Sequence, residues 1–310
     1  RVGPSPLWLV RALESVGLRS INNVVDVTNY VLIELGQPMH AFDAEMITDH
    51  QIIVRCANPG EELKTIDGTS VALHPEDLVI ADTKRAIALA GVMGGANSEV
   101  TESTSTVVLE AAHFDPVSVR RTSQRHGIQT DSSMRFERGS DREMPPLAIN
   151  RAAQLIREVA AGEVVRGVID VQPSITETKT PLLLRLARVK RILGVDIPHT
   201  EIADLLVHLG CEIKRADREQ FFIQPPSYRV DLTREIDLIE EIARLRGYDK
   251  IPRSIPAVVG QPRQRPPHAE SIAALSESLV AEGLHEVVNY GFLAHDTLRR
   301  LNLGDGQTVT

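Results

Sequence analysis

The sequence predicts an α+β chain made of a large mixed domain, a smaller winged-helix-like module and the start of a third domain. Three observations predict it. Over the first ~170 residues, short apolar runs bounded by glycine or polar residues alternate with helical patterns. Proline-rich segments at 172–181 and 251–267 read as linkers. Between them come helical patterns, a strand pair and a longer helix, the order of a helical module with a two-stranded wing. The domains are placed at 1–172, 180–252 and 265–310.

Each element has its own local reason. "PSPLWLVRALESVGL" has apolar residues at helical spacing, with Ser5 as expected N-cap, Pro6 in the first turn and Gly17 closing it. "INNVVDVTNYVLIELG" mixes β-branched stretches with a second apolar run ended by Gly36. "QIIVRCA" and "ELKTIDGTSVAL" read as strands around a turn at Asp67–Gly68. "DLVIAD", "IALAGVMGG" and "STVVLEAAHF" add three short apolar runs. A helix is expected at about 145–161, with Ser140 and Glu143 at capping-box spacing. "LLLRLARV" reads as a strand, "VKRILG" and "HTEIADLLVHLG" as helices, "CEIKRA" and "QFFIQPP" as the wing, and "REIDLIEEIARLRGY" as a helix. A last helix, "AESIAALSESLVAEGL", and a strand, "EVVNYGF", open the third domain. The first residue is Arg1 and the last residues, "DGQTVT", read as a turn leading into a strand, so a piece of a longer polypeptide is expected.

Composition narrows the function classes. Aromatics are only 4 % of the 310 residues, so the cores must rest on Val, Leu, Ile and Ala. A net charge of −8 weighs against a protein whose whole surface grips nucleic acid, and against a DNA-binding winged helix. No apolar run approaches the roughly 18 residues of a membrane span, and no signal-peptide pattern opens the chain. Cys56 and Cys211 are too few and too far apart for a disulfide framework or a zinc cluster. Both are expected as buried thiols in a reducing, cytoplasmic setting.

Several residues carry chemistry. In "GQPMHAFD", Pro38 and Met39 deliver His40 into an apolar neighbourhood, as a core histidine or as part of a polar pocket. Glu110 ends "VVLE", where a carboxylate is out of place unless it bonds nearby backbone, an arginine or a ligand. Glu110 and His113 have helical ligand spacing, but a strand pattern and one histidine argue against zinc. Gly94 in "GVMGG" marks a tight turn or a close approach to a ligand. Thr130, Asp131 and Ser132 follow His126–Gly127. Arg120, Arg121, Arg125, Arg135, Arg138 and Arg142 form a locally basic run, suited to phosphate or to pairing with Asp131, Glu137 and Asp141. Asp237, Glu240 and Glu241 share a helix face, Asp231 fits an N-cap, and a Glu240–Arg244 pair is spaced at i+4. Such a cluster is a solvated face or a site for a hard cation.

The phrases "VVDVTNYVLIELGQPMHAFD", "LAGVMGG", "VVLEAAHFDP", "RRTSQRHGIQTDSSMRFERG" and "YRVDLTREIDLIEEIARLRGYDKIP" occur in this order and closely resemble the bacterial phenylalanyl-tRNA synthetase β subunit. The resemblance runs along essentially the whole chain. It implies a central piece of that subunit: an editing domain, a winged-helix-like module and the start of a class II synthetase-like domain. An apolar pocket for phenylalanine rejects tyrosine by only about 10²-fold, and a second site that bonds the phenol can supply the rest by hydrolysing Tyr-tRNA. The resemblance implies that Glu110 reads the tyrosine hydroxyl, that His40 lies near the cleaved ester, with Pro38 shaping its turn, and that Gly94 forms a pocket wall. It gives Thr130 a bond to the substrate's amino acid or the ester water, and Arg19 a place at the pocket mouth. Ser132 departs from the alanine common in bacterial relatives. Asp231, Asp237, Glu240 and Glu241 match acids associated with Mg2+ in the family, near the α subunit. The implied partners are tRNA(Phe), the α subunit and tyrosine as editing-site ligand, and ATP is used by the whole α2β2 enzyme rather than bound by this piece. A non-catalytic tRNA- or subunit-binding module is the alternative.

Overall fold

The computed structural model describes residues 1–172, 180–253 and 266–301. Most of the two proline-rich segments read as linkers, and the "DGQTVT" ending, lie outside the described residues. Arg1–Pro252 form one compact unit and Arg253–Thr310 a second. The architecture is mixed α+β with several antiparallel sheets.

Helix α1 (Leu7–Ser15) starts at Pro6 without a side-chain cap. Ser5, expected as that cap, instead donates its hydroxyl to Asp26. The buried Asp26 carboxylate also accepts from Ser20 Oγ and the Ile21 amide, so a tertiary bond outcompetes the local one. Helix α2 (Asn23–Leu35) absorbs the β-branched run. Asn22 accepts from the Val24 and Val25 amides, and Gly36 closes the helix at φ 73°. Val27 and Val31 then bury against Leu9, Leu13 and helix α5 (Met144–Ala160). Helix α5 begins as expected, but Glu143 makes no capping bond and Ser140 is drawn away to His113.

Strand β1 (Met39–Asp43) pairs antiparallel with a distant strand, β8 (Val107–Ala111). Between them lie β2 (Ile53–Cys56), the hairpin β3 (Glu62–Lys64) and β4 (Ser70–Ala72), β5 (Leu78–Ala81), β6 (Ala86–Leu89) and β7 (Met93–Gly94). Strands β2, β5, β6 and β7 form one sheet in that order. Cys56, expected buried, is exposed, because β2 is the edge of this sheet. Helices α3 (Pro116–His126) and α4 (Asp131–Phe136) follow. The β1–β8 ribbon divides two cores. Met39 and Leu109 face the helices α1, α2 and α5, while Phe42 and Val108 face the sheet core around Val79, Ile87 and Leu89. This alternation is the two-residue period of a strand buried on both faces.

The following module comprises β9 (Leu182–Arg185), α6 (Leu186–Leu193), α7 (His199–His208), β10 (Glu212–Ala216), β11 (Gln220–Gln224) and α8 (Glu235–Arg246). Its sheet has three strands in the order β10–β11–β9, one more than the expected two-stranded wing. Strand β9 aligns Leu184 with Phe221, which puts both in a core with Ile202, Leu206, Ile223 and Leu238.

In the second unit the described residues form α9 (Ala269–Ala281) and α10 (His295–Arg300). The strand expected at 286–292 does not form. Val288 and Phe292 are 97 % and 83 % exposed, and a strand holds only when its backbone groups find a partner. Among the described residues, no helix is long and apolar enough to cross a membrane.

Candidate functional site

The register of the β1–β8 ribbon sets His40 directly opposite Glu110. Cross-strand partners share a face with Cβ atoms about 5 Å apart. That face is the one turned toward the sheet core, since Phe42 lies two residues beyond His40 and packs edge-on to its ring at 4.5 Å. Pro38 is buried and leads the chain into β1 after the left-handed Gly36. Gln37 locks this corner: its Nε2 donates to the Ala112 carbonyl at 2.8 Å, just past the end of β8.

Gly94 completes the cluster, in a manner the sequence did not suggest. A side chain there would collide with the His40 ring: a Cβ would stand 2.8 Å from Nε2 and nearer still to Cε1. Gly94 is therefore first of all the seat of the imidazole. His40 Nε2 is buried against it without a hydrogen-bond partner. Burial lowers the His40 pKa to about 4, so the ring is neutral at pH 7.

Glu110 keeps part of its surface accessible. Among the described residues its carboxyl has no hydrogen bond and no ion pair. Burial raises its pKa to about 7, so near neutrality the carboxyl is divided between its protonated and charged forms. It can thus accept or donate a hydrogen bond. His113, three residues on, bonds Ser140 Oγ at 2.9 Å.

Thr130 is the N-cap of α4. Its hydroxyl donates to the Val92 carbonyl at 2.8 Å and accepts from the Ser133 amide at 3.0 Å. One acceptor lone pair remains for a ligand. Thr130 thereby ties α4 to the turn at Val92 that leads into β7 and Gly94, and Ser132 stands half-buried in the first turn of α4. Arg19 is exposed in the loop between α1 and α2. The structure records no contact from it to His40 or Glu110.

Sequence reasoning missed the post that holds α3. Asp77 is fully buried at the foot of β5 and accepts from Arg125, Thr122, the His74 amide and His126, the last at 2.6 Å. Desolvation pushes its carboxyl up, but the bonds from His126, His74 and Arg125 outweigh it and the pKa falls below the usual range. No local signal announces this, because Arg125 and His126 lie 48 and 49 residues away. Of the basic run, Arg135 pairs with Asp131 at 2.8 Å and Arg138 approaches Glu137 at 3.5 Å. Asp141 instead accepts from Ser227.

The acids of α8 behave differently from expectation. Asp231 does not cap the helix; it pairs with Arg229 at 2.7 Å. Arg234 is the cap residue, and Asp237 accepts from its amide at 2.8 Å and its guanidinium at 2.9 Å. Glu241 is 7 % exposed and clasped by Arg229 and Arg244. Arg244 thus takes Glu241 at i+3, not Glu240 at i+4, and Glu240 stays exposed. Arginine bonds hold the carboxyls of Asp231, Asp237 and Glu241 below their usual pKa. Among the described residues, no group of three or more His, Cys, Asp or Glu side chains is placed to hold a metal. The four acids do not fit a magnesium ion, because three are already neutralised by guanidinium groups.

Residues 1–161 match the model of the B3/4 domain, and residues 182–248 that of the tRNA synthetase B5 domain. The phenylalanine–tRNA ligase beta subunit of Syntrophotalea carbinolica is 46 % identical over 309 residues, covering 98 % of this chain and 38 % of that protein. Its counterpart from Geobacter metallireducens is 45 % identical over 302 residues, covering 97 % and 38 %. The chain therefore spans well under half the length of these relatives. A solved N-terminal fragment of the phenylalanyl-tRNA synthetase beta subunit from Pyrococcus horikoshii overlays 73 % of this chain and 65 % of that one, at a TM-score of 0.34 and 14 % identity, too low to carry an argument.

Proposed function

This chain belongs to the phenylalanine–tRNA ligase beta-subunit family, and from that premise we propose that its B3/4 domain removes tyrosine from tRNA(Phe) by hydrolysing the aminoacyl ester. The observation that carries the reading is the partnerless Glu110 carboxyl, set opposite His40 on a buried ribbon, with Gly94 of β7 packed against the His40 ring. A carboxyl left without a protein partner in a poorly hydrated place is available to a ligand's hydroxyl. Tyrosine supplies that hydroxyl and phenylalanine does not. Sites that read a hydroxyl reject analogues lacking it by about 10⁴–10⁵-fold, because the buried group is then unpaired.

His40 has a different part. An imidazole lowered to about 4 is a weak base at neutral pH. We therefore assign it to orienting the attacking water or the terminal ribose, not to taking the proton. Thr130 holds the Val92 turn, just before Gly94, against α4 and offers its remaining lone pair. The water attacks the ester carbonyl carbon, the bond to the ribose oxygen breaks, and a proton from the water passes to that oxygen, giving free tyrosine and an uncharged tRNA terminus. ATP-dependent joining of phenylalanine to tRNA(Phe) is assigned to the whole enzyme with its α subunit, in the cytoplasm.

The test is deacylation of pre-charged Tyr-tRNA(Phe) by the 310-residue chain, with Phe-tRNA(Phe) as control. Hydrolysis of the tyrosyl ester that is lost in Glu110→Ala supports editing. An inert chain that still binds tRNA or the α subunit would leave the non-catalytic module as the better account.

A further inference from the structure

A cleft among the described residues has neither His40 nor Glu110 in its lining. Its volume is about 510 Å³, and it opens between the end of α3 and helix α4. That size suits a small-molecule or single-nucleotide ligand. Its lining is polar almost throughout: Arg120, Ser123, Gln124, Gln129, Glu137 and Arg138. It offers an apolar peptide no hydrophobic side chain.

Arg120 is exposed, and among the described residues no carboxylate or carbonyl engages it. Arg138 spends one nitrogen on the Met134 carbonyl at 2.6 Å and stands 3.5 Å from Glu137. Its remaining guanidinium nitrogens are uncommitted among the described residues. Two guanidinium groups on one cleft are suited to phosphate oxygens, and their planes stack on bases. Gln124 and Gln129 carry amides that match base edges. Glu137 has a partly free carboxylate, which accepts from a ribose hydroxyl. The set is complementary to a ribonucleotide and less so to a bare anion, which Glu137 would repel.

The position gives this chemistry a use. Gln129 immediately precedes Thr130, whose hydroxyl is bonded to Val92, two residues before Gly94. The α3 wall is braced at its end by Asp77 through Arg125 and His126. Resting on the editing reading above, we infer that this cleft binds a nucleotide of the single-stranded 3′ end of the acylated RNA and so sets how far its terminal ester reaches toward Glu110. It is a positioning site and takes no part in bond breaking.

The probe is a fluorescent RNA hairpin with a short single-stranded 3′ overhang, titrated against the 310-residue chain at several salt concentrations. In the Arg120→Ala/Arg138→Ala double variant, affinity is expected to fall by about 10-fold or more, and the slope of log K against log salt by about 1.4, near 0.7 for each lost contact to a single strand. Gln124→Glu, which adds a charge to the wall and removes none, is expected to weaken binding in the same direction. Removing equal charge elsewhere, in Arg11→Ala/Arg157→Ala, is expected to leave binding and slope near wild type, and melting temperatures confirm that each variant folds. A DNA hairpin of the same sequence is expected to bind more weakly, since it lacks the 2′-hydroxyl. Wild-type RNA affinity in the double variant overturns the proposal, as does a chain that ignores the hairpin and binds a polyglutamate peptide instead. Binding is read without hydrolysis. If Glu110→Ala keeps its deacylation activity, the editing reading fails while the cleft result stands or falls by itself.

Discussion

Two carboxylates in this molecule, Glu110 on β8 and Glu241 on α8, are both substantially withdrawn from water and meet opposite fates. Glu241 is held by Arg229 and Arg244, and its pKa falls below the usual range. Glu110 has no such partner, and its pKa rises to about 7. The difference teaches where a ligand is wanted. A buried acid with two guanidinium neighbours is finished as a structural element, whereas one left bare raises the energy of the folded chain until something else bonds it. The expected magnesium cluster belongs to the first kind and the proposed phenol reader to the second.

The comparison breaks most directly at Glu110 itself. Glu110→Ala is expected to lower the preference for Tyr-tRNA(Phe) over Phe-tRNA(Phe) by up to about 10⁴-fold, measured as the ratio of kcat/KM for deacylation. An unchanged ratio would make the bare carboxyl irrelevant to selectivity.

Stability against pH sharpens the contrast. With a folded pKa raised to about 7 from the ordinary glutamate value of 4.5, Glu110 binds more proton in the folded than in the unfolded state between those values. Its contribution is therefore fully present below 4.5 and lost as pH rises through 7. Glu110→Gln is expected to be more stable than wild type at pH 8, by up to ~3 kcal/mol, with the gain vanishing by about pH 4.5. Chemical denaturation at the two pH values measures it. His40 titrates with the opposite sign, its contribution falling away below 6.5 toward 4, so the variant must be compared with wild type at each pH.

The geometry of the seat comes next. Gly94→Ala puts a methyl into the His40 ring. A displacement of about 1 Å near reacting atoms costs on the order of 10²-fold in rate. That loss is expected in kcat for tyrosyl ester hydrolysis, and a variant with wild-type kcat would show that the position of the ring does not matter. At Glu241 the sign reverses from Glu110: Glu241→Gln is expected to lose about 2 kcal/mol at pH 7 and progressively less as the pH falls below the carboxylate range. Stability equal to wild type at pH 7 would erase the distinction between the two acids.

Much of the fold was legible because its signals are local. Gly17 closed its helix as read, Gly36 ended its apolar run, which proved to be helical, and Asp67–Gly68 turned the β3–β4 hairpin. Other local signals were overruled. Ser5 and Ser140 had capping chemistry, but a buried carboxylate and a histidine claimed their hydroxyls. Asp231 had the chemistry of a cap and was taken by Arg229. The strand at 286–292 had the composition of a strand and no partner among the described residues.

By itself the sequence determined the family, the mixed α+β class, and several local features such as the Gly17 helix end and the Asp67–Gly68 turn. These depend on side chains within a few positions of one another, or on long runs of residues in order. Only the tertiary structure decided that His40 stands opposite Glu110, that Gly94 exists to admit the imidazole, and which acids receive an arginine. The physical reason is distance along the chain. Residues 40 and 110 meet through strand register, and register is set by the burial of both ribbon faces rather than by anything either residue carries.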